Sequence, residues 1–347
     1  AAEKLFYKTI CKLADDGNRC VVIISGNHDN PERLSAITPL AEEMGILVFG
    51  YPLSKTTEAK YKGFEITQAL EGCTKLNING EKVTLITLPY PSEKRLNEVI
   101  KGDTEREQQI SYSKKVGDLF RKLEENFEED SINIAVSHIF VVGGESTESE
   151  RPIELGGSLL VQKSDLPQNS QYTALGHLHK PQKASERLNA YYSGSPIQYS
   201  KSERVYSKGA KIVEVHPGQD AIIEDIYFKN YKPIEVFKCK GIEEAINICE
   251  ENKDKNIWSY FEIVTDEVIN QKNIKTMKSL LKDIIEIKPI INQSYEYEHV
   301  DMREKTMKEL FVEYYKFRNK VEPKGELLDL FLQIVEEEGD DNWDRLD

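Results

Sequence analysis

The sequence predicts an α+β protein built around a central sheet, and three observations support this. Short apolar runs rich in β-branched residues recur through the first two thirds of the chain, with polar helical stretches between them. From about Pro233 a compact alternation of strand and helix patterns begins, and the end of the chain is helical. No window approaches the roughly 18 uninterrupted apolar residues of a membrane span, so a membrane protein is excluded.

Residues 1–230 form the first predicted domain. Apolar residues recur at helical spacing from Ala2 to Leu13, which predicts an opening helix. No initiator Met or capping residue precedes it, so we expect the sequence to be the interior of a longer protein. A polar helix is predicted around Val116 and Leu123. Strands are predicted at residues 20–24, 83–88, 132–136, 172–175, 190–192, 211–215 and 221–228.

The rest of the chain predicts two further parts. Residues 298–347 carry two amphipathic helical patterns, separated by Pro323 and Gly325. Such helices either pack on the preceding domain or dock a partner helix or coiled coil. Residues 231–297 form a small α+β domain, with strands predicted at 234–236, 257–264 and 287–291 and helices at 242–250 and 274–284.

Composition limits the class of protein. The chain has 347 residues, 39% of them hydrophobic and 31% charged, which fits a globular protein of two or three domains. Its net charge of −14 argues against a simple electrostatic nucleic-acid binder, although residues 336–347 alone supply −6 of it. The five cysteines form no C-x-x-C pair, and from the charged residues at the start we expect no signal peptide. A reducing cytoplasm fits best.

Four histidines carry the functional signal. His28 follows the first predicted strand, His138 the third, and His177 and His179 the fourth. Catalytic and ligand residues collect in loops at strand carboxyl ends, where several strands can direct side chains to one point. A single histidine after a strand is usually a core or surface residue. Three strand ends that each deliver a histidine, together with the carboxamide of Asn27, predict a shared site.

The residue types indicate a metal. In an extended segment, residues two apart point to the same side, so His177 and His179 can face one cavity. Imidazole, carboxamide and carboxylate donors suit Mn, Fe or Zn, and Asn beside histidines favours a hydrolytic dinuclear centre. Gly26 and Gly176 are expected to let the backbone approach the metal or phosphate closely.

The order G-N-H-D, S-H and G-H-L-H resembles the calcineurin-like metallophosphoesterase superfamily. Within it, residues 137–145, 149–157 and 192–196 resemble the SbcD family of nuclease subunits, and the resemblance spans essentially the whole chain. It implies a layered metallophosphoesterase β-sandwich flanked by helices, followed by a small α+β capping domain and C-terminal helices.

The resemblance also implies residue roles. Asn27, His138 and His177 coordinate one Mn²⁺ and His179 the other, with Mg²⁺ as a substitute. His28 is the catalytic histidine and not a ligand, and Asp29 orients the loop. The superfamily's D-x-H and G-D-x-x-D strand ends do not occur upstream of Asn27, so we expect two βα units to be missing from this chain.

The implied function is that of a DNA nuclease. SbcD acts on double-stranded DNA as a 3′–5′ exonuclease and as an endonuclease at hairpins and blocked ends, in replication, recombination and repair. It works with the ATPase SbcC, whose coiled coil the terminal helices would dock, in a heterotetramer that contains an SbcD homodimer. Two alternatives stay open: a phosphoesterase for small substrates, and a non-catalytic scaffold that binds the ATPase partner.

Several other side chains have weaker predictions. The tyrosines Tyr192 and Tyr199 are expected to pack in the sheet or on the surface and not to contact substrate. Five basic residues after the fourth strand either contact the DNA backbone or form an ordinary solvated surface. They are Lys180, Lys183, Lys201, Arg204 and Lys208.

Overall fold

The computed structural model confirms the α+β class, with helices and strands mixed along the chain. Contacts divide the chain into two units, Ala1–Ile290 and Ile291–Asp347. The predicted boundaries of the three domains stay predictions. The residues that the structure describes are 2–97, 100, 102, 104–147, 149–150, 159–265, 269–291, 307–319, 323, 325, 327, 328, 330 and 331.

The helices and strands are numbered in chain order. The α-helices are α1 Ala2–Ala14, α2 Pro31–Ser35, α3 Thr38–Glu42, α4 Glu93–Leu96, α5 Glu105–Glu124, α6 Ile242–Glu251, α7 Gln271–Leu280 and α8 Met307–Asn319, and short 3₁₀ helices cover Lys163–Asp165 and Lys201–Val205. The strands are β1 Val21–Ile24, β2 Ile46–Phe49, β3 Ala59–Lys60, β4 Phe64–Leu70, β5 Cys73–Ile78, β6 Glu81–Leu88, β7 Ile132–His138, β8 Phe140–Val141, β9 Leu160–Val161, β10 Tyr172–Gly176, β11 Gln182–Lys183, β12 Ala190–Tyr192, β13 Gly209–Glu214, β14 Ile222–Tyr227, β15 Ile234–Cys239, β16 Trp258–Thr265 and β17 Ile284–Ile291.

The largest sheet has eight strands in the order β11-β12-β10-β7-β6-β5-β4-β3. Strand β7 runs parallel to both neighbours, with Ser137 opposite Leu88 of β6 and His138 opposite Gly176 of β10. Because parallel strands end at the same edge, the segments after β6, β7 and β10 lie side by side. Strands β1 and β2 form a separate parallel pair, and β1 also contacts β7.

Helix α5 covers one face of the large sheet. Thr104 caps its first turn by accepting a hydrogen bond from the Glu107 N–H. Its apolar stripe is the predicted one: Val116 and Phe120 are at most 1% exposed and belong to the same buried cluster as strand residues such as Ile86. Full burial of side chains of this size stabilises the fold by roughly 1.5–3 kcal/mol each.

The strands and helices predicted after Pro233 are present, but the helix predicted at 274–284 is α7, which ends at Leu280, and Ile284 begins β17. Strands β15 and β16 pair in parallel, β17 completes a three-stranded sheet, and α6 and α7 pack together. In the second unit, α8 matches the first predicted terminal helix, whereas most of the second lies outside the described residues. No helix in the described part of the chain is long and apolar enough to cross a membrane.

Candidate metal centre

The loop after β1 presents Asn27 and His28 from a tightly held backbone. The buried Ser25 hydroxyl donates to the Gly50 carbonyl at 2.6 Å, and the Gly26 N–H donates to the Asp29 carboxylate at 2.7 Å. Asp29 therefore closes the loop, which is the orienting role that the sequence predicts for it.

Arg95, from α4, clamps the same loop at both ends. Its guanidinium donates to the Ser25 hydroxyl at 3.0 Å and to the Asp29 carbonyl at 2.7 Å, and lies over the Tyr90 ring. Sequence reasoning missed this residue. The available signal was a basic residue in a short helix, capped by Ser92, at the carboxyl end of β6.

The His138 ring lies between the loop that follows β1 and the end of β10. Its Nε2 is 3.0 Å from the Asn27 Oδ1, so two of the predicted ligands are in contact. A Cβ atom on Gly26 would lie 2.7 Å from the ring, and one on Gly176 would lie 2.8 Å from it. The glycines were expected to admit a metal or phosphate, but in this structure they make room for the His138 imidazole.

His177 is placed differently from the sequence-based expectation. Strand β10 ends at Gly176, and His177 has a φ of +113°, so the H-x-H segment is not extended. This conformation is strained for a residue with a side chain, and such strain persists only where the surroundings enforce it. The His177 ring nevertheless faces the His138 ring, with centroids 5.4 Å apart.

Electrostatics keep both of these imidazoles neutral. Burial lowers the pKa of His138 to about 3, and the nearby charges of His177, Arg95, His28 and His179 add to the effect. Burial likewise lowers the pKa of His177 to about 4. A neutral imidazole keeps the lone pair that a metal ion needs.

His179 is held through its Nδ1 atom, which lies 2.7 Å from the Ser149 hydroxyl and 3.2 Å from a Glu203 carboxylate oxygen. Its Nε2 atom therefore remains for another ligand. The rings of His179 and the exposed Tyr199 are 5.2 Å apart. Tyr192 is fully buried, and its hydroxyl bonds to backbone groups of the β7–β8 segment, as its predicted packing role requires.

The structure corrects the prediction for Lys208, one of the five basic residues. Lys208 is only 5% exposed and bonds to the His179 carbonyl, so it is neither a DNA contact nor part of a solvated surface. Lys201 lies within 4 Å of both Glu262 and Glu286, and Lys180 pairs with Glu145. The prediction was wrong for Lys208 because the local sequence does not show that this lysine pairs with the buried carboxylate of Glu203.

His28 is exposed, unlike the other three histidines of this site. It lines a cleft of about 590 Å³ together with Asp29, Phe6, Tyr7 and Ile23. The cleft is large enough to admit a small ligand or part of a larger one. His28 is therefore accessible while its neighbours in the centre are shielded.

The side chains that converge here can supply part of the ligand set of a divalent metal ion. Among the residues that the structure describes, no group of three or more His, Cys, Asp and Glu side chains could hold a metal ion. The convergent donors are instead two neutral imidazoles and a carboxamide, with His179 beside them. Nitrogen and neutral oxygen donors of this kind suit Mn²⁺ or Zn²⁺.

Comparison with known proteins identifies the family. No protein-family model matches the chain. The SbcD component of the nuclease SbcCD from Bacillus subtilis strain 168 is 38% identical to it, over 97% of this chain and 84% of that protein. With this identity over nearly its whole length, the chain belongs to the SbcD family.

Proposed function

We propose that the protein is the nuclease component of an SbcCD complex and hydrolyses phosphodiester bonds of double-stranded DNA. One observation carries the proposal: side chains from separate strand ends converge, with the His138 Nε2 3.0 Å from the Asn27 Oδ1 and the His177 ring facing His138. The identity to the Bacillus subtilis protein supports the same function. The activities are 3′–5′ exonuclease and cleavage at hairpins or blocked ends.

Asn27, His138 and His177 hold one Mn²⁺ ion and His179 the other in this proposal, and Mg²⁺ can substitute. When bound, such a pair supplies a nucleophile from water and positive charge for the phosphate oxygens. The chain's own contribution is to keep His138 and His177 neutral and to hold His179 through its Nδ1 atom. His28, exposed beside them, donates a proton to the leaving oxygen and offsets the charge that develops there.

The proposal also assigns a role to each part of the chain and a partner to the protein. The first 230 residues form the layered phosphoesterase domain, and residues 231–297 form the cap that restricts access to the site. Residues 298–347 dock the coiled coil of the ATPase SbcC, and two nuclease chains join in a heterotetramer. The complex acts in the cytoplasm, in replication, recombination and repair.

A non-catalytic scaffold that binds the ATPase is the second candidate. It is favoured because no group of three or more His, Cys, Asp and Glu side chains in the described part of the chain could hold a metal ion. A scaffold would bind SbcC but would neither bind Mn²⁺ at His138 nor cleave DNA. Metal binding therefore separates the two functions.

The test compares turnover of linear duplex DNA with turnover of bis-p-nitrophenyl phosphate, in the full-length protein at increasing Mn²⁺. We expect Mn²⁺-dependent DNA cleavage that His138→Ala abolishes. The matched control is His216→Ala, because His216 is exposed and pairs with Glu214 away from the site. Turnover of the small ester without DNA cleavage would favour a small-substrate phosphoesterase, and cleavage that survives His138→Ala would contradict the proposed site.

A further inference from the structure

Three atoms of His179 are each held by a buried charged side chain. Glu150 accepts a hydrogen bond from the backbone N–H at 2.6 Å, and Lys208 donates to the backbone carbonyl at 3.0 Å. A Glu203 carboxylate oxygen lies 3.2 Å from the ring Nδ1. The three side chains are between 0% and 8% exposed.

Glu203 lies at the centre of this arrangement. One of its carboxylate oxygens faces His179 and Ser149, and the other faces Lys208 and Ser195. The Lys208 ammonium group and the Tyr199 backbone N–H can only donate hydrogen bonds, and both bond to this second oxygen. Glu203 therefore acts as a hydrogen-bond acceptor.

The Glu203 acceptor determines which ring nitrogen of His179 carries the proton. A neutral imidazole has one N–H donor and one lone-pair nitrogen. The Nδ1 atom lies beside the Glu203 oxygen and the Ser149 hydroxyl, and that hydroxyl itself donates to Glu203. The Nδ1 atom must then be the donor, so Nε2 keeps the lone pair that coordinates a metal.

We propose that Glu203 is a positioning residue for His179, which fixes its tautomer and ring orientation for the second metal ion, with Lys208 as the buried counter-charge. This inference rests on the proposed function, because it assumes that His179 is a ligand. A purely structural Glu203–Lys208 pair is the competing explanation. It is a weak source of stability, because desolvation of two buried charges offsets their attraction.

The test is the binding of Mn²⁺ to the full-length protein, measured by calorimetry and by electron paramagnetic resonance. The variants are Glu203→Gln, His179→Ala and the double variant. A carboxylate that orients a ligating histidine typically contributes 10–100-fold to metal affinity, so we expect Glu203→Gln to weaken one of the two Mn²⁺ sites by about that factor. In the His179→Ala background the same substitution should have no further effect.

Glu124→Gln is the matched control. Glu124 is also a buried carboxylate that accepts a backbone N–H, from Asn169 at 2.6 Å. Asn169 precedes β10, whereas His177 and His179 follow it, so this acid lies at the opposite end of the strand. Mn²⁺ affinity should stay at the parent value in this variant.

Folding is controlled separately. Glu203→Gln leaves Lys208 buried without its counter-charge, so melting temperatures of the metal-free proteins are compared and the Glu203→Gln/Lys208→Met variant is added. If the double substitution restores the melting temperature while the Mn²⁺ site stays weak, positioning is supported.

Two results would contradict the positioning role of Glu203, and a third would contradict the proposed function. Parent Mn²⁺ affinity in a folded Glu203→Gln or Glu203→Gln/Lys208→Met variant overturns the positioning role. The positioning role is also overturned if Glu203→Gln lowers the Mn²⁺ affinity equally in the parent and in the His179→Ala background. Parent affinity in His179→Ala instead removes His179 from the metal centre and contradicts the proposed function itself.

Discussion

Replacing Gly26 with Ala tests whether the His138 ring must occupy the space beside the loop that follows β1. The added Cβ atom would lie 2.7 Å from Cε1, 3.0 Å from Nδ1 and 3.1 Å from Nε2 of that ring. Ordinary contacts begin near 3.4 Å, so the ring must move by about 0.7 Å. A Cβ atom on Gly176 would lie 2.8 Å from Nδ1 of the same ring, so the ring also packs closely against this second glycine.

The displacement should affect both stability and activity. Overpacking of this kind typically lowers the free energy of unfolding by about 1–3 kcal/mol. A shift of about 1 Å in a reacting or ligating group can lower the rate by about 10²-fold. We therefore expect Gly26→Ala to lose about two orders of magnitude in Mn²⁺-dependent turnover while the protein remains folded at 25 °C.

The assay is cleavage of linear duplex DNA and of bis-p-nitrophenyl phosphate, with urea denaturation in parallel. Gly241→Ala is the matched control, because a Cβ atom there meets nothing within 4 Å and the residue has an extended φ of −179°. Parent turnover and parent Mn²⁺ affinity in Gly26→Ala would refute the claim that His138 needs this glycine.

Three further substitutions have defined outcomes. His28→Ala should keep Mn²⁺ binding and reduce turnover by about 10²–10⁴-fold, and a joint loss of metal and activity would show that His28 is a ligand. Tyr192→Phe removes the hydroxyl that accepts from the Val141 N–H and donates to the Ile139 carbonyl, so the free energy of unfolding in urea should fall by about 1–3 kcal/mol, and no change would contradict these bonds. Burial raises the pKa of Glu124, so ionisation of this carboxyl group destabilises the folded protein as the pH rises through that pKa. Glu124→Gln should therefore be more stable than the parent at pH 7 and equally stable below about pH 4. A stability difference that does not change with pH would contradict this pH dependence.

Much of the fold was predictable because its signals are local. The apolar runs at β1, β6, β7 and β10 and the stripe of α5 match the predicted elements. Strand β2 was missed although residues 46–49 form a fully buried apolar run. Strand β4 was missed for a physical reason: its register shifts between Ile66 and Gln68, which breaks the alternation that marks a strand.

The members of the candidate site were predicted from the sequence, whereas the groups that support them were not. Asn27 and His28 follow β1, His138 is the last residue of β7, and His177 and His179 follow β10. They could be named because neighbouring strand ends meet at one edge of a sheet. The groups that hold them come from elsewhere. The Arg95 clamp, the Glu203 carboxylate and the buried Lys208 belong to segments whose local sequence reads as ordinary polar surface.

The amino-acid order alone predicted which donor groups form the candidate site, since each of its histidines is close in sequence to a strand and to a glycine or serine. Only the tertiary structure decided which imidazole nitrogen faces outward, which glycine the ring needs and which charges lose contact with water. Those properties depend on contacts between residues far apart in sequence, such as Glu203 with His179 and Gly26 with His138. Burial lowers the pKa of His138, and hydrogen bonding places the Nδ1 atom of His179 against Glu203, so these properties do not follow from residue type.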